Sequence, residues 1–541
     1  MFTSRLKTRI VLLLIGLLPA GVFAQQNTIL IVADDVSPDY LGCYSSVTDT
    51  APMPVIRSLA EQGVRFTKAW SAPVCSPARA AMLSGRYPFR TGVGGVISSA
   101  TSPQIDTAEI SIARMLKFQA PVSYQTACIG KWHLNANTPL RRRYPNKLGF
   151  DLYSGNFNGA IPDYYQYVRV KNGIVDTVNT YATTQTVNDA LAWLDTINPA
   201  QPFFLWLAFN APHDPYHLPP AALCDTSGLP GTAADIAARP EAYFKAALQA
   251  MDTEIGRLLN YLDVHGLRDS TNIIFVGDNG NAREVAQSTN PMKSKGTIYN
   301  YGVQVPMIVS GPAVMNVPRS SAELVSTVDL LASIAELSGF SNWTSVIPSG
   351  TSMDSRSFVP ILKNQTGAMR SWIFSETFNV PATPADGKTI RNETYHLLRF
   401  DNGVEEFYNQ TNDPEENTNL LLNTSAMTAV EWFNYQWLCD SIAALTGITP
   451  CLSVSVSALD VQLDILLSPN PTGGTLNIEF PLSVSTDKIY VSVCNLYGQI
   501  VQQVSFDAPQ GTLDLSSLAP GVYCVRIDCG AMRGVRLIVK D

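Results

Sequence analysis

The sequence predicts a three-layer α/β domain followed by a separate all-β sandwich module, and three observations carry that prediction. From Asn27 to about residue 360, apolar runs of strand length alternate with longer helical segments, the pattern of βαβ units around a largely parallel sheet. Four of the runs are continuously apolar, as strands buried on both faces require. From about residue 460 the pattern changes to short alternating strands divided by turn signals such as Pro469-Asn470-Pro471-Thr472-Gly473-Gly474. The length of 541 residues exceeds the size at which one core stops growing, and 46% hydrophobic with 15% charged residues is an ordinary globular composition.

The N-terminus reads Arg5, Lys7 and Arg9, then an apolar run over 10–18, then the small-residue site Val22-Phe23-Ala24, which is the layout of a secretory signal peptide over 1–24. Neither that run nor any later one reaches the roughly 20 apolar residues of a membrane span, so no transmembrane anchor is expected. Loss of the leader removes three basic and no acidic residues and takes the net charge from −8 to −11, which argues against a nucleic-acid partner.

The buried strands are expected at 28–33, 124–129, 203–209 and 272–277. A helix is expected over 241–262, where Phe244, Leu248, Met251, Ile255, Leu258, Leu259 and Leu262 recur at helical spacing. Short strands at 395–400 and 405–409, ending in the Asp413-Pro414-Glu415-Glu416 turn, predict a small antiparallel subdomain over 371–422, with a helix again at 425–445. The domain division is therefore 25–370, 371–455 and 460–541. Nine cysteines is an odd number for an exported chain, so at least one is unpaired or chemically special. Spacing pairs Cys439 with Cys451 and Cys524 with Cys529 as expected local bridges.

Each of the four buried strands runs into polar residues: Asp34-Asp35, Lys131 with His133, His213, and Asp278-Asn279. Ligands of open parallel sheets bind beyond the carboxyl ends of the strands, so the four sets are expected to converge. Asp34, Asp35, Asp278 and Asn279 offer only oxygen, which suits Ca²⁺ or Mg²⁺ rather than zinc. A lone Asp-Asp pair usually caps a turn; two polar pairs after matching strands point to a cation instead.

Cys75 lies in Cys75-Ser76-Pro77-Ala78-Arg79, where Ser76 reads as a helix N-cap and Pro77 as the first helical residue, and Arg79 can reach back toward the sulfur. This run, with Ala81-Met82-Leu83-Ser84-Gly85-Arg86, resembles the signature of type I sulfatases, in which the motif cysteine becomes formylglycine before export. The resemblance covers about residues 27–422, including the Phe407-Tyr408-Asn409 to Asp413-Pro414 ending. It implies the alkaline phosphatase-like sulfatase fold. It makes Asp34, Asp35, Asp278, Asn279 and the modified Cys75 the ligands of Ca²⁺, with Mg²⁺ as the alternative. Lys131, His133, His213, Lys295 and Arg79 become the remaining catalytic set. A formylglycine-generating or anaerobic sulfatase-maturating enzyme is then a partner.

The mechanism implied is attack on sulfur by a hydrated aldehyde at Cys75, with the cation lowering the nucleophile's pKa and Lys131 and Lys295 spreading the developing charge. His213 or Lys295 would protonate the leaving alcohol, and His133 would take the proton that lets the sulfate depart. Tyr299-Asn300-Tyr301-Gly302 departs from the family's usual Tyr-Glu-Gly-Gly, and the tract after Gly280 departs as well, which bears on the substrate-facing rim. His217 is a substrate-contact candidate, while His265 and His396 fit structural roles; the Arg141-Arg142-Arg143 run fits an anionic glycan or a solvated turn equally.

The tail resembles the sorting domain of the type IX secretion system, on Leu467-Ser468-Pro469-Asn470-Pro471-Thr472, Asn495-Leu496-Tyr497-Gly498-Gln499 and the run 515–523. That implies passage through the outer membrane to the cell surface or the medium, with the secretion machinery as partner. A carbohydrate-binding sandwich is the rival for this region, disfavoured because the tail has no tryptophan. The expected activity is hydrolysis of a sulfated glycan or an aryl sulfate. Its rivals are a formylglycine-dependent phosphodiesterase or phosphonate monoester hydrolase and a non-catalytic surface glycan-binding protein.

Overall fold

The strands expected to be buried on both faces lie at the centre of a ten-stranded sheet in a computed structural model of the chain. It describes residues 26–44, 49–365, 370–448, 451, 466–479, 489–495, 500–506, 510–529 and 532–540. The signal-peptide segment and the 453–458 stretch lie outside the described residues. Across the sheet the order is Arg319–Ser321, Gly63–Phe66, Met307–Ser310, Thr271–Gly277, Asn27–Ala33, Phe203–Ala208, Gln125–Gly130, Leu152–Gly155, Tyr167–Lys171 and Ile174–Val178. Asn27–Ala33 pairs in parallel with both Thr271–Gly277 and Phe203–Ala208, and Gln125–Gly130 pairs in parallel with Phe203–Ala208. Met307–Ser310 runs antiparallel to Thr271–Gly277, and at the far edge Tyr167–Lys171 runs antiparallel to both Leu152–Gly155 and Ile174–Val178.

Alternate side chains of the central strand feed two cores, which is what makes the domain three-layered. Leu30 and Val32 pack with Phe66, Leu83 and Leu330 on one face. Ile29 and Ile31 pack on the other with Phe244, Leu248, Met251, Ile255 and Leu258. These last five belong to helix Pro240–Val264, which extends the expected 241–262 by one residue at its start and two at its end. Each such side chain taken fully from water contributes about 1.5–3 kcal/mol. The same helix supplies Asp252, whose carboxylate accepts the Val55 and Ile56 N–H groups at 3.0 and 2.8 Å and so caps helix Pro54–Glu61.

The expected antiparallel subdomain is a four-stranded sheet, Ile373–Thr377, Gly387–Arg391, Tyr395–Phe400 and Glu405–Asn409. His396 is buried in it between Glu416 and Thr389, a structural role as expected. Glu376 is buried too: one oxygen accepts the Phe89 N–H at 2.7 Å and the other has no partner. Burial lifts its pKa from the ordinary 4.5 to about 7. The unfolded chain releases that proton near 4.5 and the folded one near 7, so this contribution to stability is full below pH 4.5 and is lost as pH rises through about 7. A Glu376→Gln variant should therefore lose about 2.5 kcal/mol less stability than wild type between pH 5 and pH 8, measured by thermal unfolding at both. An unchanged pH dependence would refute the assignment.

Two compact units emerge. One carries the described residues through Met427 with Trp437–Ile448, and the other Thr428–Gln436 with the described residues from 451 onward. In the second unit, sheets of three strands and four strands share a core of Leu476, Ile478, Val491, Val493, Val525 and Ile527. Cys439 and Cys451 are both in disulfides. Cys524 is a free thiol, which overturns the expected bridge to Cys529. Both residues lie on strand Gly521–Cys529, and five steps along a strand span about 17 Å, far beyond disulfide reach.

Candidate active site

Register brings the four polar strand ends together. Ala33 sits beside Gly277, so Asp34-Asp35 and Asp278-Asn279 emerge side by side, and the Asp278 N–H donates to the Ala33 carbonyl at 3.0 Å. On the other flank the Lys131 N–H donates to Ala208 O at 2.9 Å and the Asp34 N–H to Ala211 O at 3.3 Å. Asp34, Asp35, Lys131, His133, Asp278 and Asn279 are all buried.

Three cations hold the acidic groups. Arg79 donates from Nε and Nη2 to one Asp278 oxygen at 3.0 and 2.8 Å, and from Nη1 to the Lys131 carbonyl at 2.9 Å. Lys131 pairs with Asp34, and Lys295 pairs with Asp35 at 2.6 Å and touches His213 Nε2 at 3.1 Å. Burial works against every one of these charges. It raises the Asp34 pKa in spite of Lys131, whereas at Asp35 it is outweighed by Lys295 and His213, so that carboxyl is lowered. At His213 burial disfavours the charge but Asp35 and Asp34 outweigh it, raising the pKa to about 9.

Cys75 opens helix Cys75–Ser84, whose N-cap is Val74 rather than the expected Ser76. Val74 is extended and its carbonyl accepts the Ala78 N–H, while the Ser76 hydroxyl accepts the Ile97 N–H at 3.2 Å and is unavailable for capping. The Gly296 N–H donates to the Pro73 carbonyl at 2.9 Å, and the Ser71 hydroxyl donates to Asp278 O at 2.6 Å. The chain on either side of Lys295 and Asp278 is thus tied to the segment leading into Cys75. Burial disfavours the charges of Arg79 and Lys295, but Asp278 and Asp34 outweigh it at Arg79 and Asp35 does so at Lys295, raising the pKa of both.

His133 adopts a positive φ of 54°, and a Cβ at Gly159 would fall 2.6 Å from its Cε1, so the ring requires a glycine there. Its Nε2 lies 3.1 Å from the Ile97 carbonyl, and its Nδ1 is buried with no partner. Burial, then Lys131 and Arg79, hold its pKa well below the usual value, so the ring is neutral, with Nε2–H donating and Nδ1 carrying the lone pair.

The donor set fits a hard cation. Asp34 Oδ1 and Asn279 Oδ1 are buried without a hydrogen-bond partner, the nearest charge to Asp34 Oδ1 being Arg79 Nη2 at 3.7 Å, which leaves two oxygens free to accept a cation. Asp34, Asp35 and His213 offer ligand atoms within 4.8 Å of one another, so His213 borders the same cluster, whereas Asp278 is drawn toward Arg79.

Both ring nitrogens of His217, the candidate for substrate contact, are engaged within the protein. Its Nδ1 lies 2.9 Å from the Pro215 carbonyl, its Nε2 2.9 Å from the Tyr181 hydroxyl, and its ring stacks on Tyr164 at 3.9 Å. Two residues escaped the sequence reasoning. Asn281 exchanges hydrogen bonds with Ser37 at 2.7 and 2.9 Å and accepts the Lys295 N–H at 3.0 Å, joining the loops that bear Asp35, Asn279 and Lys295. Tyr164 donates its hydroxyl to the Asn210 and His213 carbonyls, both at 2.7 Å. Asn281 carried a signal, its position two residues after Asn279; Tyr164, far away in sequence, carried none.

The sequence profile of the family described as Sulfatase matches residues 26–340, that of the N-sulphoglucosamine sulphohydrolase C-terminal region matches 292–436, and that of the secretion system C-terminal sorting domain matches 467–540. Arylsulfatase J of Mus musculus is 28% identical over 357 residues, 60% of this chain and 56% of that protein, so the chain spans little more than half of it. The N-acetylgalactosamine-6-O-sulfatase of Bacteroides thetaiotaomicron is 25% identical over 484 residues, 73% of this chain and 89% of that protein. The crystal structure of Ps i-CgsB in complex with k-i-k-neocarrahexaose aligns with a TM-score of 0.63 at 25% identity, covering 78% of this chain and 92% of that one.

Proposed function

This chain belongs to the sulfatase family, and from that premise we propose that it is a secreted hydrolase of sulfate esters whose substrate is a sulfated glycan. One observation carries the reading: Asp34, Asp35, Asp278 and Asn279 meet three cations beside the Cys75 helix start, and two of the ligand-type oxygens, buried, accept no hydrogen bond. The glycan follows from the relatives, named for an N-acetylgalactosamine sulfate and for a bound neocarrahexaose.

Asp34, Asp35, Asp278, Asn279 and the modified Cys75 side chain would hold Ca²⁺, with Mg²⁺ as the alternative. When bound, the cation neutralises sulfate oxygens and lowers the pKa of the nucleophile. Cys75, converted to formylglycine by a maturation enzyme, supplies that nucleophile as a hydrated aldehyde. His133 takes a proton at Nδ1, the lone pair left free by the bond at Nε2. Lys131 and Lys295 present ammonium groups to the transferring sulfate, and His213 Nε2 or Lys295 Nζ delivers a proton to the leaving alcohol. Arg79 fixes Asp278 and the Lys131 backbone while facing Cys75 with positive charge. His133→Ala should lower kcat on 4-nitrophenyl sulfate by about 10²- to 10⁴-fold with the melting temperature little changed; a loss under tenfold removes His133 from the reaction. Rates on matched aryl sulfate and aryl phosphate esters test the reaction class, and faster phosphate ester cleavage would overturn the sulfatase reading.

The tail, matched by the sorting-domain profile, directs the enzyme through the outer membrane to the surface or the medium. Among the described residues no helix is long and apolar enough to cross a membrane. We retain the division into 25–370, 371–455 and 460–541. Deleting residues 460–541 should leave activity intact and strand the enzyme in the periplasm, measured by fractionating the native host; undiminished surface display would contradict a sorting role.

A further inference from the structure

The basic run Arg141-Arg142-Arg143 is unusual in a chain of net charge −8, and its side chains meet three different partners. Arg141 donates from Nη1 to the Ala100 carbonyl at 3.1 Å, and Arg142 donates from Nε to Asn137 Oδ1 at 2.9 Å. Both acceptors are neutral, and neither guanidinium has a carboxylate within ion-pair distance among the described residues. Each side chain therefore spends one of five N–H donors and keeps its charge uncompensated. Arg143 instead lies against the hairpin at Gly173, where a Cβ would fall 3.1 Å from its Cγ.

The place of the first two arginines is set by the wall they stand on. His133 Nε2 contacts the Ile97 carbonyl, and three residues further along the same loop the Ala100 carbonyl accepts Arg141. Residues 97–105 and 132–142 are joined by the Ile105 N–H to Leu134 O at 3.1 Å, the Ala136 N–H to Gln104 Oε1 at 3.1 Å, and Asn135, which accepts from Trp132 Nε1 at 2.7 Å and donates to Arg141 O at 3.3 Å. The loop that fixes the His133 ring is thus the loop that seats the Arg141 guanidinium. A glycan presenting its scissile sulfate to the site would extend past this wall, and a planar guanidinium fork pairs with sulfate or carboxylate oxygens.

We propose that Arg141 and Arg142 form a subsite for a second anionic group, sulfate or uronate carboxylate, on the glycan that carries the scissile sulfate, so the preferred substrate is polyanionic. This rests on the sulfatase reading above, which it makes more specific.

The test compares wild type, the double variant Arg141→Gln/Arg142→Gln, and Arg143→Gln on 4-nitrophenyl sulfate and on a hexasaccharide bearing several sulfates. The double variant should raise KM for the hexasaccharide about 10- to 100-fold with kcat retained, leave aryl sulfate kinetics unchanged, and flatten the salt dependence of hexasaccharide KM. Arg143→Gln should behave as wild type. An unchanged hexasaccharide KM, an equal rise for both substrates, or an equal effect of Arg143→Gln would overturn the subsite. If wild type cleaves neither ester, the hydrolase reading fails on its own. Calorimetric titration of the same hexasaccharide then decides the subsite: binding lost only in the double variant upholds it, and equal binding by all three proteins overturns it.

Discussion

A Cys75→Ala variant should fold as wild type does and lose at least about 10³-fold in turnover of any sulfate ester. The fold should persist because the change removes one sulfur atom from the first position of a buried helix, and Arg79 stays anchored on Asp278 and the Lys131 carbonyl. Turnover should vanish because the hydrated aldehyde is the mechanism's nucleophile and nothing takes its place: Lys131 and Lys295 are paired with Asp34 and Asp35, and the Nδ1 lone pair of His133 serves proton transfer. Cys75→Ser separates a missing nucleophile from a missing aldehyde, since a hydroxyl attacks once but has no second hydroxyl to expel the bound sulfate. A Cys75→Ala enzyme with more than a tenth of wild-type kcat would end the mechanism.

Chelation should have the second largest effect, abolishing activity to below about 1% while leaving the secondary structure in place. With the cation removed, Asp34, Asp35 and Asp278 still face Lys131, Lys295 and Arg79, so the carboxylates are not left uncompensated. Stability should nevertheless fall, because a ligand that binds only the folded state contributes about 2.7 kcal/mol at a hundred times its Kd. Adding Ca²⁺ or Mg²⁺ back should restore both activity and melting temperature, and the ion that does so at lower concentration identifies the physiological choice. Full activity in protein shown by elemental analysis to carry no divalent metal would refute the cation's role.

Much of this was legible because it was written locally. Strands buried on both faces read as apolar runs, and the register of Asn27–Ala33 with Thr271–Gly277 then obliges Asp34-Asp35 and Asp278-Asn279 to meet. Strands Tyr395–Phe400 and Glu405–Asn409 kept their expected limits because polar turns bound both. Features set by distant partners were not legible. Ser76 has an N-cap's chemistry, yet Ile97 claims its hydroxyl from another loop. Asn281 depends on Ser37, 244 residues away, and His217 has the look of a site histidine while Tyr181 and Pro215 hold both of its nitrogens. The Cys524–Cys529 bridge failed for a simpler reason, since closeness in sequence becomes distance once both residues lie on one strand.

The most direct test of the account is the mass of the Cys75 peptide from protein purified from its native host. The mechanism predicts a formylglycine form about 18 Da lighter than the cysteine form, from loss of sulfur and two hydrogens against gain of one oxygen. A peptide carrying only unmodified cysteine, in protein that still hydrolyses sulfate esters, would contradict it.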